Sequence, residues 1–159
     1  MSDKRPILFA TDGSPSAEGA QKMAFELAQR FDAPLLVVSV AHPAYPAGSY
    51  AGFGYANVVV DLREAEHTRV KELLTSVATS AEEAHVDCTT IEADGLAIDE
   101  ICRQASAFDA QLIVVGSHGW GAARRLFSGS VSTGLVHAAP CPVLVVRSSR
   151  QAHEHAAAA

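Results

Sequence analysis

The sequence predicts an α/β fold: one doubly wound parallel sheet of five strands, with helices on both faces. Three observations predict it. Short apolar runs alternate with longer segments of helical period along the whole chain. The runs at residues 35–40 and 112–115 are almost continuously apolar, as strands covered by helices on both sides must be. The length, 159 residues with 48% hydrophobic and 19% charged side chains, suits one core and not two. Right-handed crossovers between parallel strands then leave a doubly wound topology as the natural solution.

Each element has its own signal. Pro6-Ile7-Leu8-Phe9-Ala10 is the first strand, closed by Thr11-Asp12-Gly13-Ser14-Pro15. Ser14 suits a helix N-cap and Pro15 the first helical position. The helix that follows carries Ala20, Met23, Ala24, Leu27 and Ala28 on one stripe and ends near residues 31–33. Residues 35–40 are the second strand. Residues 42–57 are rich in Pro, Ala, Gly, Tyr and Ser without a period, and at that length read as a functional lid or an insertion. A long helix is expected over residues 61–84, apolar on the side of Val70, Leu73, Leu74 and Val77. Residues 86–92 form the third strand, and Asp94-Gly95 turns into a helix presenting Ile98, Ile101, Cys102 and Ala105. Residues 112–115 are the fourth strand. A glycine-rich loop, a short helix over residues 130–137 and a last strand at Val143–Val146 complete the domain, which spans residues 1–147. Residues 148–159 are small and polar, end in four alanines, and are expected to be a disordered tail.

Composition excludes several function classes. A net charge of -6 argues against a nucleic-acid partner bound through a basic footprint. The longest apolar run, residues 35–41, is far below the ~20 residues of a membrane helix, and the N-terminal residues do not read as a secretory signal. Cys88, Cys102 and Cys141 are scattered and form no CxxC, which fits reduced thiols in a cytoplasm.

In a doubly wound sheet, ligands sit beyond the carboxyl ends of the strands where the winding reverses. The candidate site therefore lies in the loops after the first, second and fourth strands. The informative stretch follows the fourth: Gly116-Ser117-His118-Gly119, then Arg124-Arg125, then Gly129-Ser130-Val131-Ser132. Glycines let a backbone approach a ligand without a Cβ in the way. Gly129-Ser130 stands where a helix begins, and the free N–H groups there favour an anion. The Ser130 and Ser132 hydroxyls can add donors to phosphate oxygens. Together these residues read as a phosphate cradle. No lysine follows the glycines as a Walker A loop requires, and the GxGxxG begun at Gly119 has Arg124 in its last place. No GxSxG surrounds Ser130 or Ser132, and His153-Glu154-His155 is not HExxH.

The spacing G-x2-G-x9-G-[ST], met by Gly116, Gly119, Gly129 and Ser130, resembles that of the universal stress proteins. Val115-Gly116-Ser117-His118-Gly119, the segment Ala139-Pro140-Cys141-Pro142-Val143-Leu144-Val145-Val146, and the opening Ala10-Thr11-Asp12-Gly13-Ser14 strengthen the resemblance, which runs in order over residues 5–147. It implies strand order 3-2-1-4-5, a homodimer and, in one branch of the family, bound ATP. In that branch the glycine-serine motif holds ribose and phosphates. Asp12 then matches an acidic position near the ribose and a nucleotide-bound Mg²⁺, while Val40 and Val115 match positions lining the adenine. Val131 and Ser132 follow the motif serine as in nucleotide-binding members, and Arg125 falls where a basic residue is common. Trp120 is less usual at its position.

Each residue also has a plainer role. Asp12 and Ser130 can simply cap helices, Gly116 and Gly119 can shape a turn, and Arg124 and Arg125 can be a solvated pair. His118 reads as a structural hydrogen-bonder, since no nucleophile accompanies it. Val143–Val146 should lie at the sheet's edge, where pairing with a second copy would satisfy an apolar strand, as the resemblance also implies. The leading expectation is a cytoplasmic ATP-binding regulator whose occupancy orders residues 42–57. The alternatives are a slow ATPase or phosphotransferase, short of groups for phosphoryl transfer beyond Asp12 and the arginine pair, and a dimeric scaffold binding no nucleotide. A flavin site finds no clear aromatic sandwich.

Overall fold

The computed structural model describes residues 4–41, 55–117 and 130–147. Within them, nine elements alternate in order: β1 (Ile7–Ala10), α1 (Ala17–Phe31), β2 (Leu35–Ala41), α2 (Tyr55–Glu83), β3 (Cys88–Asp94), α3 (Ala97–Ala107), β4 (Leu112–Gly116), α4 (Ser130–Ala138) and β5 (Val143–Val146). The strands form one parallel sheet in the order β3-β2-β1-β4-β5. Winding reverses at β1, which pairs with β2 on one side and β4 on the other.

Strand alternation splits the core into two layers. Ile7, Phe9, Leu35 and Val37 point toward α1 and α2, where they meet Ala20, Ala24, Val70, Leu74 and Val77. Leu8, Ala10, Leu36, Val38, Ile113 and Val115 point toward α3 and α4, where they meet Ile101, Ala105 and Leu135. Ile7, Leu8 and Phe9 are fully buried, and side chains of this size contribute roughly 1.5–3 kcal/mol each on burial. The alanines along α1, Ala17, Ala20, Ala24 and Ala28, keep that helix close to the sheet.

Helix ends follow one device. After α1, α2 and α3 the chain passes through a left-handed residue that is not glycine: Asp32, His85 and Asp109. The next amide then reaches back five residues, Ala33 to Ala28, Val86 to Ala81 and Ala110 to Ala105, at 2.8–2.9 Å. These are Schellman closures, and the apolar residue after each left-handed position is buried.

Several boundaries differ from those the sequence predicts. Ser14 and Pro15 precede α1, which begins at Ala17. The Asp12 carboxylate captures the Ser14 amide (3.0 Å) and the Ser14 carbonyl accepts from Ala17 N–H (2.9 Å), so one turn intervenes. Helix α2 begins at Tyr55 and not at residue 61, absorbing the end of the segment read as a loop; residues 42–54 lie outside the described residues. Strand β3 runs two residues later than expected, because its register with β2 pairs Leu35 with Cys88 and Ala41 with Asp94. The tail, residues 148–159, is outside the described residues. No helix among those described is long and apolar enough to cross a membrane.

Candidate functional site

The carboxyl ends of β1, β2 and β4 lie at one end of the sheet, and α1 and α4 start there because each continues from a strand end. The register sets Ala10 between Val38 and Val115. Ala10, Val40, Val115 and Val131 belong to one apolar cluster on the α3/α4 side, with Ala10 and Val115 buried and Val40 and Val131 partly exposed at its margin. Four expected site positions are thus brought together. Thr11 continues β1 toward the opposite face, with its amide on the Val38 carbonyl at 3.0 Å.

The loop after β1 is knitted by its own polar groups. Thr11 Oγ1 accepts from the Gly13 amide at 3.2 Å, and Asp12 Oδ1 from the Ser14 amide at 3.0 Å. Gly13 has φ +74°, a conformation that favours glycine. Asp12 therefore shapes the turn ahead of α1 and does not cap the helix. Ser16 holds the N-cap position without a side-chain capping bond.

The loop after β4 departs from the expectation in one respect. A Cβ on Gly116 would lie 3.0 Å from the Ser16 carbonyl oxygen and 3.5 Å from Ala17 Cα. The close approach of the α1 backbone therefore favours glycine here, a packing reason that the ligand-approach reading of the sequence did not include. Ser117 is buried, and its amide extends the β4–β5 ladder to the Val146 carbonyl at 2.9 Å. Ser130 opens α4, so this helix presents its N-terminal amides at the same end of the sheet as Asp12 and Gly116. Ser132, one turn in, is buried. Gly119, Arg125 and Gly129, with His118, Trp120 and Arg124, lie outside the described residues.

The family model named for the universal stress protein family matches residues 4–147. This chain belongs to the universal stress protein family. A universal stress protein of Thermus aquaticus is 36% identical over 146 residues, spanning 90% of this chain and 98% of its own. Among solved structures, the universal stress protein UspA from Lactobacillus plantarum has a TM-score of 0.74 at 27% identity, covering 91% of this chain and 99% of that one. A universal stress protein in complex with cAMP has a TM-score of 0.67 at 26% identity, covering 91% and 98%.

Sequence reasoning missed the contact that α2 makes with the loop after β1. Arg69 donates from Nη1 to the Asp12 carbonyl at 3.0 Å, while Nε and Nη2 grip both Glu66 carboxylate oxygens at 2.9 and 2.7 Å. The Glu66 hydrogen bonds, aided by the Asp12 charge, hold the guanidinium pKa above its ordinary value. An i,i+3 Glu/Arg pair on a helix face looks like solvated charge, so nothing in the sequence singled it out. Nearby, His67 Nδ1 meets Glu92, and Arg63 donates to Asp94 at 2.7 Å, tying α2 to β3. Among the described residues no group of three or more His, Cys, Asp or Glu side chains could hold a metal ion. The three cysteines are free thiols, and burial pushes each of their pKa values up, as suits packing more than reactivity.

Proposed function

We propose that this chain binds an adenine nucleotide, ATP foremost, and that occupancy acts as a regulatory signal read through a change of conformation or partner. The observation that carries the reading is the convergence of Ala10, Asp12, Val40, Val115, Gly116 and the start of α4 at the point where the winding reverses. The apolar cluster of Ala10 and Val115, with Val40 and Val131 at its margin, suits a base, and the α4 N-terminus suits phosphates. The cAMP complex of a relative at 26% identity supports an adenine ligand. Ser117, Ser130 and Ser132, with Gly119, Arg125 and Gly129, complete the set we assign to it.

The Asp12 carboxylate, a hard oxygen donor, would hold a Mg²⁺ carried in by the nucleotide. Its Oδ1 accepts the Ser14 amide, which orients the carboxylate. We place the protein in the cytoplasm, consistent with its free thiols.

The test is release of bound small molecules from freshly purified protein by denaturation, identified by mass spectrometry, followed by ATP titration. A Gly129→Ala, Ser130→Ala double variant is the control. Adenine nucleotide from the parent and none from the variant upholds the reading. No nucleotide on purification and no heat on titration would overturn it and favour an empty scaffold.

We also propose a homodimer through β5. The amides of Ile113 and Ser117 bond the carbonyls of Pro142 and Val146, so this parallel register turns the N–H and C=O groups of Val143 and Val145 away from β4. The other edge, β3, carries exposed Thr89, Thr90 and Asp94, a polar edge that resists pairing. Val145→Pro deletes one outward N–H and no bond to β4. It is expected to give a folded monomer in analytical ultracentrifugation, and a monomeric parent would refute the proposal.

A further inference from the structure

The stretch of α2 from Glu66 to Leu73 makes two different kinds of contact with the loop that carries Asp12. Arg69 holds the Asp12 peptide carbonyl, with its fork braced by Glu66 on the preceding turn. One turn further on, Leu73 covers Gly13 so closely that a Cβ there would lie 3.1 Å from Leu73 Cδ1. Val70, between them, is fully buried against the sheet and fixes the rotation of the helix. The loop is therefore clasped by a charged group at Asp12 and an apolar one at Gly13, both from a single helix face.

The arrangement has an electrostatic side. A polyphosphate approaching Asp12 meets a carboxylate of its own sign, which repels it. A guanidinium beside Asp12 offsets that repulsion. Glu66 engages both Nε and Nη2 and leaves Nη1 directed at the loop.

We propose that Arg69, braced by Glu66, is a positioning residue of the nucleotide site: it fixes the β1–α1 loop and with it the Asp12 carboxylate, so that the placement of α2 sets the affinity of the site. The inference rests on the nucleotide reading for its ligand, and it assigns the regulation of that site to α2.

Arg69→Gln and Arg69→Lys test this, with Arg63→Gln as a control that cuts the α2 tie to Asp94 on β3. Amide exchange by NMR in nucleotide-free protein follows the Gly13 and Ser14 amides, which bond Thr11 Oγ1 and Asp12 Oδ1. Calorimetric titration with Mg²⁺-ATP follows affinity. In Arg69→Gln, exchange at both amides should quicken about tenfold and ATP affinity fall about threefold to tenfold. Arg69→Lys, with a charge but no fork, should recover part of the affinity. Arg63→Gln should change neither readout.

Unchanged exchange at Gly13 and Ser14 overturns the proposal, as does faster exchange with unchanged ATP affinity. An effect of equal size in Arg63→Gln overturns it too, since general loosening of α2 would then suffice. If the parent protein binds no ATP, the nucleotide reading falls first. Parent binding that Arg69→Gln leaves intact removes this inference alone.

Discussion

Replacing Gly116 by alanine separates two reasons for a glycine at the end of β4. Its new Cβ would meet the Ser16 carbonyl oxygen at 3.0 Å, the Ser16 carbonyl carbon at 3.3 Å and Ala17 Cα at 3.5 Å. All three are backbone atoms at the start of α1, so no side chain can swing away. The first lies a few tenths of an ångström inside ordinary contact, and α1 must retreat from the sheet to relieve it. The alanines that seat α1 leave little slack for that movement. Overpacking of this kind costs about 1–3 kcal/mol. For a domain of this size, each kcal/mol lowers Tm by roughly 2–4 °C, giving a drop of about 2–12 °C. Gly19, on α1 itself, is the matched control: among the described residues its new Cβ would find only Val146 Cγ1, at 3.8 Å. Gly19→Ala should stabilise by roughly 0.5 kcal/mol through the helix preference for alanine over glycine. The assay is thermal unfolding by circular dichroism without nucleotide, then with saturating ATP. A Gly116→Ala protein that melts at or above the parent temperature without ATP would refute the packing argument.

Two further outcomes follow from single side chains. Ser39 is 1% exposed, and its hydroxyl has no hydrogen-bond partner among the described residues, so Ser39→Ala should stabilise the fold by about 1 kcal/mol in urea titrations; destabilisation would mean the hydroxyl is engaged. The Asp94 carboxyl is held below its ordinary pKa mainly by the Arg63 hydrogen bond, with a smaller contribution from the His67 charge. Its folded value lies below its unfolded value, so the stability it contributes is present above about pH 4 and lost as pH falls through the lowered pKa. Arg63→Gln should therefore melt lower than the parent at pH 6 and converge with it toward pH 2. A gap that persists at pH 2 would refute the assignment, and the exposed setting of the pair keeps the effect small and salt-sensitive.

The strands were legible because helices cover both faces of the sheet. A run such as Leu35-Leu36-Val37-Val38 has no polar side, and few other structures tolerate that. The ends of α1 and α2 fell within one or two residues of the sequence reading even with no glycine at Asp32 or His85, because a buried apolar residue one position later closes each helix. The start of α1 was misplaced because Asp12 takes the Ser14 amide into a turn, a local competition that Ser-Pro disguises as a cap. Val40 and Val115 came from the family resemblance, and the fold places both in one apolar cluster with Ala10. The α1 contact at Gly116 and the Arg69 tie could not be read, because both join segments far apart in the chain.

The placement of β1 has a consequence for synthesis. Its four residues leave the ribosome first among the strands, yet β1 occupies the middle of the finished sheet. Its partner β2 follows within some thirty residues, while Ile7 must await Leu112 on the other side, and Arg5 must await Asp109. Until then one flank of the most buried strand stands open to any other chain, with Ile7, Leu8 and Phe9 uncovered on that side. Pairing at a separation of over a hundred residues is slow compared with local closure. A nascent chain halted before β4 thus leaves the β4 flank of β1 unpaired, and completing the second half of the fold is what hides it.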